Sequence, residues 1–456
     1  MKQEVLQVLH LAPHIGGGVG SVLVDWLKNA RDDTSTKHTI ACLDTCKPAT
    51  VQTLNSEKIT YHDNLWKHKK EKLRGIINAA DIVILHYWNH PLLSRLLIED
   101  GLPASRLICW CHISGLYEPC IIPEFLIDMC DKVIFSSSIS KNAATLAGKI
   151  LVNPEKFVTI HSSRDLRPYL RMFHKRKYPK IAHRLVYIGT VSFSKLHPDT
   201  IEIMSRLSRM GFDLTVIGGP DHEYISRQIP NDAHRIRFLG PKENIHDYLL
   251  NSDIFVYPLS PSHYGTGEQS ILEAMASGMP VISFSNPAES AIIIDQRTGR
   301  LVSNADEFVE SIIPIARSAS LRQWMGEASA TEIQKRFCEE KNKDTFNLIL
   351  ESASRQPKQK RNAKLIQSCN MDICLLAFLL TSFSSTKALN FIKGSSEEEE
   401  RLHSISNYIA GEIENGKAIW KAPTKGTPLH YENYFPKSRS INLLVKKITQ
   451  NLCAKT

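Results

Sequence analysis

The chain reads as an α/β protein made of two Rossmann-like parallel-sheet domains, followed by a mainly helical extension. Three observations carry that reading. The first is length: 456 residues exceed what one ordinary core organises, so two domains and a further piece are expected. The second is the opening. An apolar run over residues 5–12 (VLQVLHLA) stops at Pro13 and meets Gly16, Gly17, Gly18, Val19 and Gly20, then an amphipathic helix carrying Val22, Leu23, Trp26 and Leu27. Strand, glycine turn and helix in that order open a dinucleotide-type half-domain. The third is a strand–loop–helix–strand unit at residues 253–284, where DIFVY is stopped by Pro258 and HYGTGEQSILEAMASGMPVISFS follows within a few residues.

In that unit the loop containing Gly265, Thr266 and Gly267 falls at the carboxyl end of a buried strand. Open parallel sheets take their ligands there. Glycine lets a phosphate approach the backbone, and the N–H groups at a helix start attract it. Glu273 comes one to two turns into the helix, placed to accept hydrogen bonds from the vicinal hydroxyls of a sugar. These features outline a nucleotide-sugar donor site.

The segment LEAMASGMPVI closely resembles the donor signature of the retaining GT-B glycosyltransferases of family 4 (group 1), which reads E-G-x-G-x-x-x-x-E-A-M-A-x-G-x-P-V. The resemblance spans roughly residues 5–350 and implies domains at 1–166 and 184–353 facing a cleft, with an extension at 365–456. It implies a nucleoside-diphosphate sugar of UDP or GDP type as substrate, with no cofactor and no metal. The acceptor would be the hydroxyl of a glycan, a lipid-linked saccharide or another molecule. The match puts Glu273 on the glutamate that binds the ribose. The family's first glutamate falls on Gly265, and Glu268, three residues on, is the candidate to replace it against the sugar. The backbone of Gly267, Glu268 and Gln269, beside Thr266, would hold phosphate. Gly189 and Lys195, six residues apart, match the family's phosphate grip, although Thr190 and Leu196 stand where that grip has arginine and glycine. Lys195 is the cation expected to neutralise the departing diphosphate. Arg297, Arg300 and Lys242 are candidates for the missing second cation. His112, just past the strand RLICWC, stands where the family carries a histidine against the donor sugar, and Gly17, Gly18 and Gly20 would close on the diphosphate from the first domain. His112, Lys195 and Glu268 are thus the catalytic candidates.

The remaining elements follow in order. Strands are expected at 38–43, 81–86, 106–111, 131–136 and 157–161, where SSRDL (Ser162 onward) replaces the family's Asn-Gly-Val-Asp turn. His86 reads as a half-buried structural histidine. A basic stretch over 167–183 reads as a hinge-like crossing, and strands resume at 185–189, 213–219 and 235–240. No D-x-D motif occurs, and a transferase that holds its diphosphate through a divalent ion needs such carboxylates. Glu289 lies two residues upstream of the place of the family's glutamate in this run, and the turn at 296–299 reads as a packing feature. Residues 355–364 (RQPKQKRNAK) read as a basic linker. Residues 371–383 (MDICLLAFLLTSF) are apolar nearly all round and read as a buried helix, with a membrane-dipping helix as the alternative. The run from Trp420 to Pro436 reads as an ordered, aromatic-rich docking segment, with a partner, an acceptor glycan and packing onto the core all open.

Composition narrows the class. A net charge of +9, from 56 Lys+Arg against 47 Asp+Glu, suits anionic ligands without the dense basic patterning of a nucleic-acid binder. Ten cysteines without a CxxC pair read as reduced, mostly buried thiols. The start MKQEVLQVLHLAP is too short and polar for a signal peptide, and no apolar run reaches the ~18 residues that span a bilayer. A cytoplasmic protein is expected, with peripheral contact at the inner membrane face as a further expectation. The function expected is a metal-independent hexosyltransferase in glycan or surface-polysaccharide biosynthesis. The alternative is a catalytically inactive GT-B-like scaffold, favoured by the missing glutamate and arginine.

Overall fold

The computed structural model describes residues 5–30, 34–66, 69–161, 164–337, 339–361 and 371–453. Ser162, Cys338, Cys369 and the end of the basic stretch at 362–364 lie outside them. The chain divides into two compact units, Met1–Arg164 with Asn342–Thr456, and Asp165–Lys341.

The first unit is organised by strands β1 (Leu6–Ala12), β2 (Thr36–Cys42), β3 (Thr60–His62), β4 (Ile82–Tyr87), β5 (Leu102–Ser105), β6 (Leu107–Cys111), β7 (Lys132–Phe135) and β8 (Phe157–Thr159). Seven of them form one sheet in the order β3-β2-β1-β4-β6-β7-β8, parallel at every pairing. Every residue of β4 and β6 is buried. That is why they read as unbroken apolar runs: a parallel sheet has both faces covered. One face is covered by the helix Glu339–Ser354, whose Phe346, Ile349 and Leu350 pack among Val8, Ile84, Ile108 and Trp110.

The second unit contains β9 (Arg184–Ile188), β10 (Asp213–Ile217), β11 (Ile236–Phe238), β12 (Ile254–Tyr257), β13 (Val281–Phe284) and β14 (Gly299–Val302), parallel in the order β11-β10-β9-β12-β13-β14. The stretch expected to be hinge-like is instead fastened to this unit. Arg167–Phe173 forms a helix, and Arg176 donates to Ser277 O at 2.5 Å and to Ser252 O and Leu249 O at 2.8 Å. Three carbonyls fill a guanidinium fork whose planar shape suits such a cluster.

The segment expected as a basic linker also carries structure. β15 (Gln359–Arg361) pairs antiparallel with β5. Arg361 is buried, donating to Ser105 O at 3.0 Å and Met129 O at 2.8 Å and pairing with Asp131. A buried arginine is stable only with such partners. The apolar stretch is a buried helix, Ile373–Ser382, capped by Asp372, whose carboxylate accepts from Cys374 N at 2.7 Å. Phe378 and Phe383 pack there against Trp420, and Tyr431 contacts Phe378, so the aromatic segment is largely core. Asn89 ties this helix to the β4 end, donating to Thr381 O at 2.5 Å and Pro119 O at 2.6 Å. No helix among the described residues is long and apolar enough to cross a membrane. The eight described cysteines are free thiols, all buried except Cys453.

Candidate functional site

The loops after β9 and β12 meet at the carboxyl ends of the second sheet. Lys195 O accepts from Ser260 N at 2.9 Å, and Leu196 bridges to Leu259. This stitching brings the Lys195 side chain over the loop that precedes the helix Gln269–Ala276. Its ammonium reaches Glu268 Oε2 at 2.8 Å and Tyr257 OH at 3.2 Å, and Tyr257 donates to the same carboxylate oxygen at 2.6 Å. All three residues are buried.

Burial alone would raise the Glu268 pKa, but Lys195 and His263 and the bonds from Lys195 and Tyr257 overcome it and hold the carboxyl at about 2. Burial opposes the Lys195 charge as well, yet Glu268 and Tyr264 raise its pKa. The two directions agree on a charged, buried ion pair, held by Coulomb attraction in a weakly screening interior.

Gly265 explains where the Glu268 carboxylate can go. A Cβ at position 265 would lie 1.7 Å from Glu268 Oε1 and 2.8 Å from His263 Nδ1. The absent side chain at 265 and the carboxylate of Glu268 therefore claim one space. The side chain of Thr266 is also turned inward: its Oγ1 is buried and finds no hydrogen-bond partner among the described residues. Gln269 Nε2 donates back to Gly267 O at 3.1 Å. Deeper in the helix Glu273 is 3% exposed and accepts from Tyr169 OH at 3.1 Å. Gly189, at the end of β9, leaves no room for a side chain, since a Cβ there would lie 2.9 Å from Tyr187 OH.

Tyr257, His263, Glu289 and Tyr169 belong to this site and were not among the expected residues. His263 Nδ1 accepts from Gly265 N at 3.0 Å, and its Nε2 lies 3.2 Å from Glu289 Oε2. Glu289 is fully buried, and its side chain orients this histidine. The last residue of a buried strand before a glycine loop, Tyr257, was the one sequence signal available. Of the candidates for a second cation, Arg300 is engaged with Asp295 at 3.1 Å, and Lys242 and Arg297 are exposed. A cavity of about 460 Å³ lined by Arg184, Asp213, Thr215, Arg237, Asp247 and Tyr248 opens at the amino ends of β9 and β10, the opposite end of the sheet from this loop.

The other expected residues lie in the first unit. Gly17 begins the helix Gly17–Asn29 with φ +61°, and a Cβ at Gly17 or Gly18 would meet nothing within 4 Å. Gly20 is different: a Cβ there would strike the Ile15 backbone at 2.9 Å, so it serves close packing of the turn. His112 Nε2 lies 2.9 Å from His86 Nδ1, and burial pushes the His112 pKa down to about 3. His86 is 1% exposed, more deeply buried than its sequence context implied.

Residues 182–318 match the family model described as glycosyl transferases group 1. Among solved structures the chain is similar to a glycosyltransferase from Rickettsia africae, at 16% identity and TM-score 0.59 over 77% of this chain and 99% of that one. It is also similar to Anabaena HepE in complex with UDP and glucose, at 16% identity and TM-score 0.56 over 76% of this chain and 100% of that one. Sucrose-phosphate synthase from Thermosynechococcus elongatus follows at 16% identity and TM-score 0.54, over 76% and 98% of the two chains. Comparison with curated proteins gives no match. The two parallel Rossmann-like sheets and these likenesses make the fold GT-B, with the match to the glycosyl transferases group 1 model confined to residues 182–318.

Proposed function

We propose that this protein is a retaining, metal-independent glycosyltransferase of family 4 type that moves a hexose from a UDP- or GDP-sugar to an acceptor hydroxyl in glycan or surface-polysaccharide synthesis. The observation that carries the reading is the set formed by Lys195, Glu268 and the inward Thr266 hydroxyl. It stands at the carboxyl ends of β9 and β12, beside a helix start, inside the matched region. A buried cation, backbone N–H groups and an unpartnered hydroxyl are what a diphosphate takes up. Glu273, held by Tyr169, is the acceptor for the ribose hydroxyls. Glu268 stands for the absent glutamate at 265, with its carboxylate in the space a side chain there would enter.

In the reaction the bond from the anomeric carbon to the diphosphate oxygen breaks, and the acceptor oxygen bonds to that carbon on the same face. The acceptor proton passes to the departing diphosphate. Lys195 stabilises the charge that develops on the leaving oxygen, a contribution of about 10²–10³ in kcat for preorganised groups of this kind. His112, Gly17, Gly18 and Gly20 are assigned to the sugar and acceptor side.

Release of nucleoside diphosphate from a panel of UDP- and GDP-sugars tests the reading, with Lys195→Ala beside the wild type. Slow hydrolysis of one donor, lost in the variant, is expected. One observation favours a second reading, the inactive scaffold: Glu268 already neutralises Lys195. Donor binding without turnover, even with acceptors supplied, would establish that reading instead.

A further inference from the structure

Four histidines of the first unit stand in one hydrogen-bonded row, of which the proposed function uses only His112. His38 on β2, His10 on β1, His86 on β4 and His112 just past β6 come from four neighbouring strands. His38 Nδ1 meets His10 Nε2, His10 Nδ1 meets His86 Nε2, and His86 Nδ1 meets His112 Nε2, each at 2.9 Å. The sheet register produces the row. His38 lies opposite Val8, Ile84 lies opposite His10, and Trp110 lies opposite His86. Each step therefore advances two residues toward the carboxyl ends, which keeps every ring on one face of the sheet. Trp110 stacks on His86 and His112 with centroids 5.7 and 5.8 Å away, and Phe346 lies against His38 at 6.4 Å. His10 and His86 are fully buried. Thr36 Oγ1 closes one end, 3.2 Å from His38 Nε2, and Ser136 Oγ the other, 3.4 Å from His112 Nδ1.

A neutral imidazole has one N–H and one bare nitrogen, and the bond made by one fixes the role of the other. Because every link runs Nδ1 to Nε2, the tautomers are not independent: the proton sits on Nδ1 in all four rings or on Nε2 in all four. Ser136 chooses between them. Its hydroxyl donates to Cys111 O at 2.8 Å, so its oxygen faces His112 as an acceptor and Nδ1 of His112 carries the proton. The choice then propagates through His86 and His10 to His38, where the Thr36 hydroxyl, able to donate, serves the bare Nε2.

We propose that Ser136 locks His112 as a neutral Nδ1–H donor for a ligand oxygen, that His86 is a positioning residue whose bond to Nε2 denies His112 the role of a base, and that His10 carries the same tautomer onward along the row. The His112–Ser136 contact, at 3.4 Å against 2.9 Å between the rings and 3.2 Å at Thr36, is the loosest link in the row and the one a sugar or phosphate oxygen replaces at least cost. That ligand role rests on the glycosyl-transfer reading, whereas the tautomer lock does not.

The test is ¹⁵N NMR of the full-length, ligand-free chain labelled at histidine, since nitrogen shifts separate protonated from bare ring nitrogens. His10, His86 and His112 are expected neutral with the proton on Nδ1. In Ser136→Ala the Nδ1–H population should fall at His112 and equally at His10, two rings away, and Ser136→Thr should restore it. His10→Phe should leave His112 locked while His38 loses its bias. An Nε2–H or mixed His112 in the wild type, or a Ser136→Ala change confined to His112, overturns the lock. No donor is needed, so failure here leaves glycosyl transfer standing, and failure of donor hydrolysis leaves the lock standing.

Discussion

Lys195 and Glu268 satisfy one another inside the second unit, so removing one strands the other. Glu268→Ala should destabilise that unit by about 3–5 kcal/mol in denaturant unfolding, and Lys195→Met/Glu268→Leu together by much less, because no uncompensated charge remains. The same pair sets a pH dependence. The Glu268 carboxyl titrates at about 2 in the fold, below its ordinary 4.5. Its contribution to stability is therefore full above about pH 4.5 and is lost as pH falls toward 2, and Glu268→Gln should flatten that acid limb of the unfolding curve. Gly265→Ala puts a methyl 1.7 Å from Glu268 Oε1. It should displace the carboxylate, cost about 1–3 kcal/mol as an overpacking change, and lower donor turnover. Tyr169→Phe removes one buried hydrogen bond to Glu273 and should cost about 1 kcal/mol.

At the scale of elements, β15 is held to β5 by an irregular antiparallel pairing of Gln359 with Ser105 and Arg361 with Leu102, and by the buried Arg361–Asp131 pair. Arg361→Ala should free that strand, seen as faster amide exchange over 359–361, and leave Asp131 without its ion-pair partner. The same element shows why parts of the fold were illegible. Strands β1, β4, β6, β9, β12 and β13 announce themselves because a sheet covered on both faces demands apolar runs. Gln359–Arg361 carries no such signal; its place is set by backbone pairing and one charge that finds Asp131. Arg176 is the same case, a basic residue in a basic stretch whose partners are carbonyls that no side-chain pattern advertises. Around the loop after β12, Glu273 and Lys195 were singled out by motif spacing, and the structure buries both. Tyr257, His263 and Glu289 were not singled out, because their roles depend on which groups the β9, β12 and β13 ends bring together.

At the scale of the whole molecule, the carboxyl-terminal region from Asn342 belongs to the first unit and covers one face of its sheet. It is part of that core, and ending the chain at residue 354 would uncover the partners of the buried helix Ile373–Ser382. Such a truncation is expected to lower the melting temperature of the first unit rather than only alter acceptor choice. The proposed transfer depends above all on the second unit binding a nucleoside diphosphate through Lys195 and Glu273. The most direct measurement is calorimetric titration of UDP and GDP into the full chain and into Glu273→Ala and Lys195→Ala. Saturable binding of one nucleotide by the wild type is expected, weakened about tenfold or more in each variant, a loss of at least ~1.4 kcal/mol. Binding of equal strength in all three proteins, or none in the wild type, would contradict it.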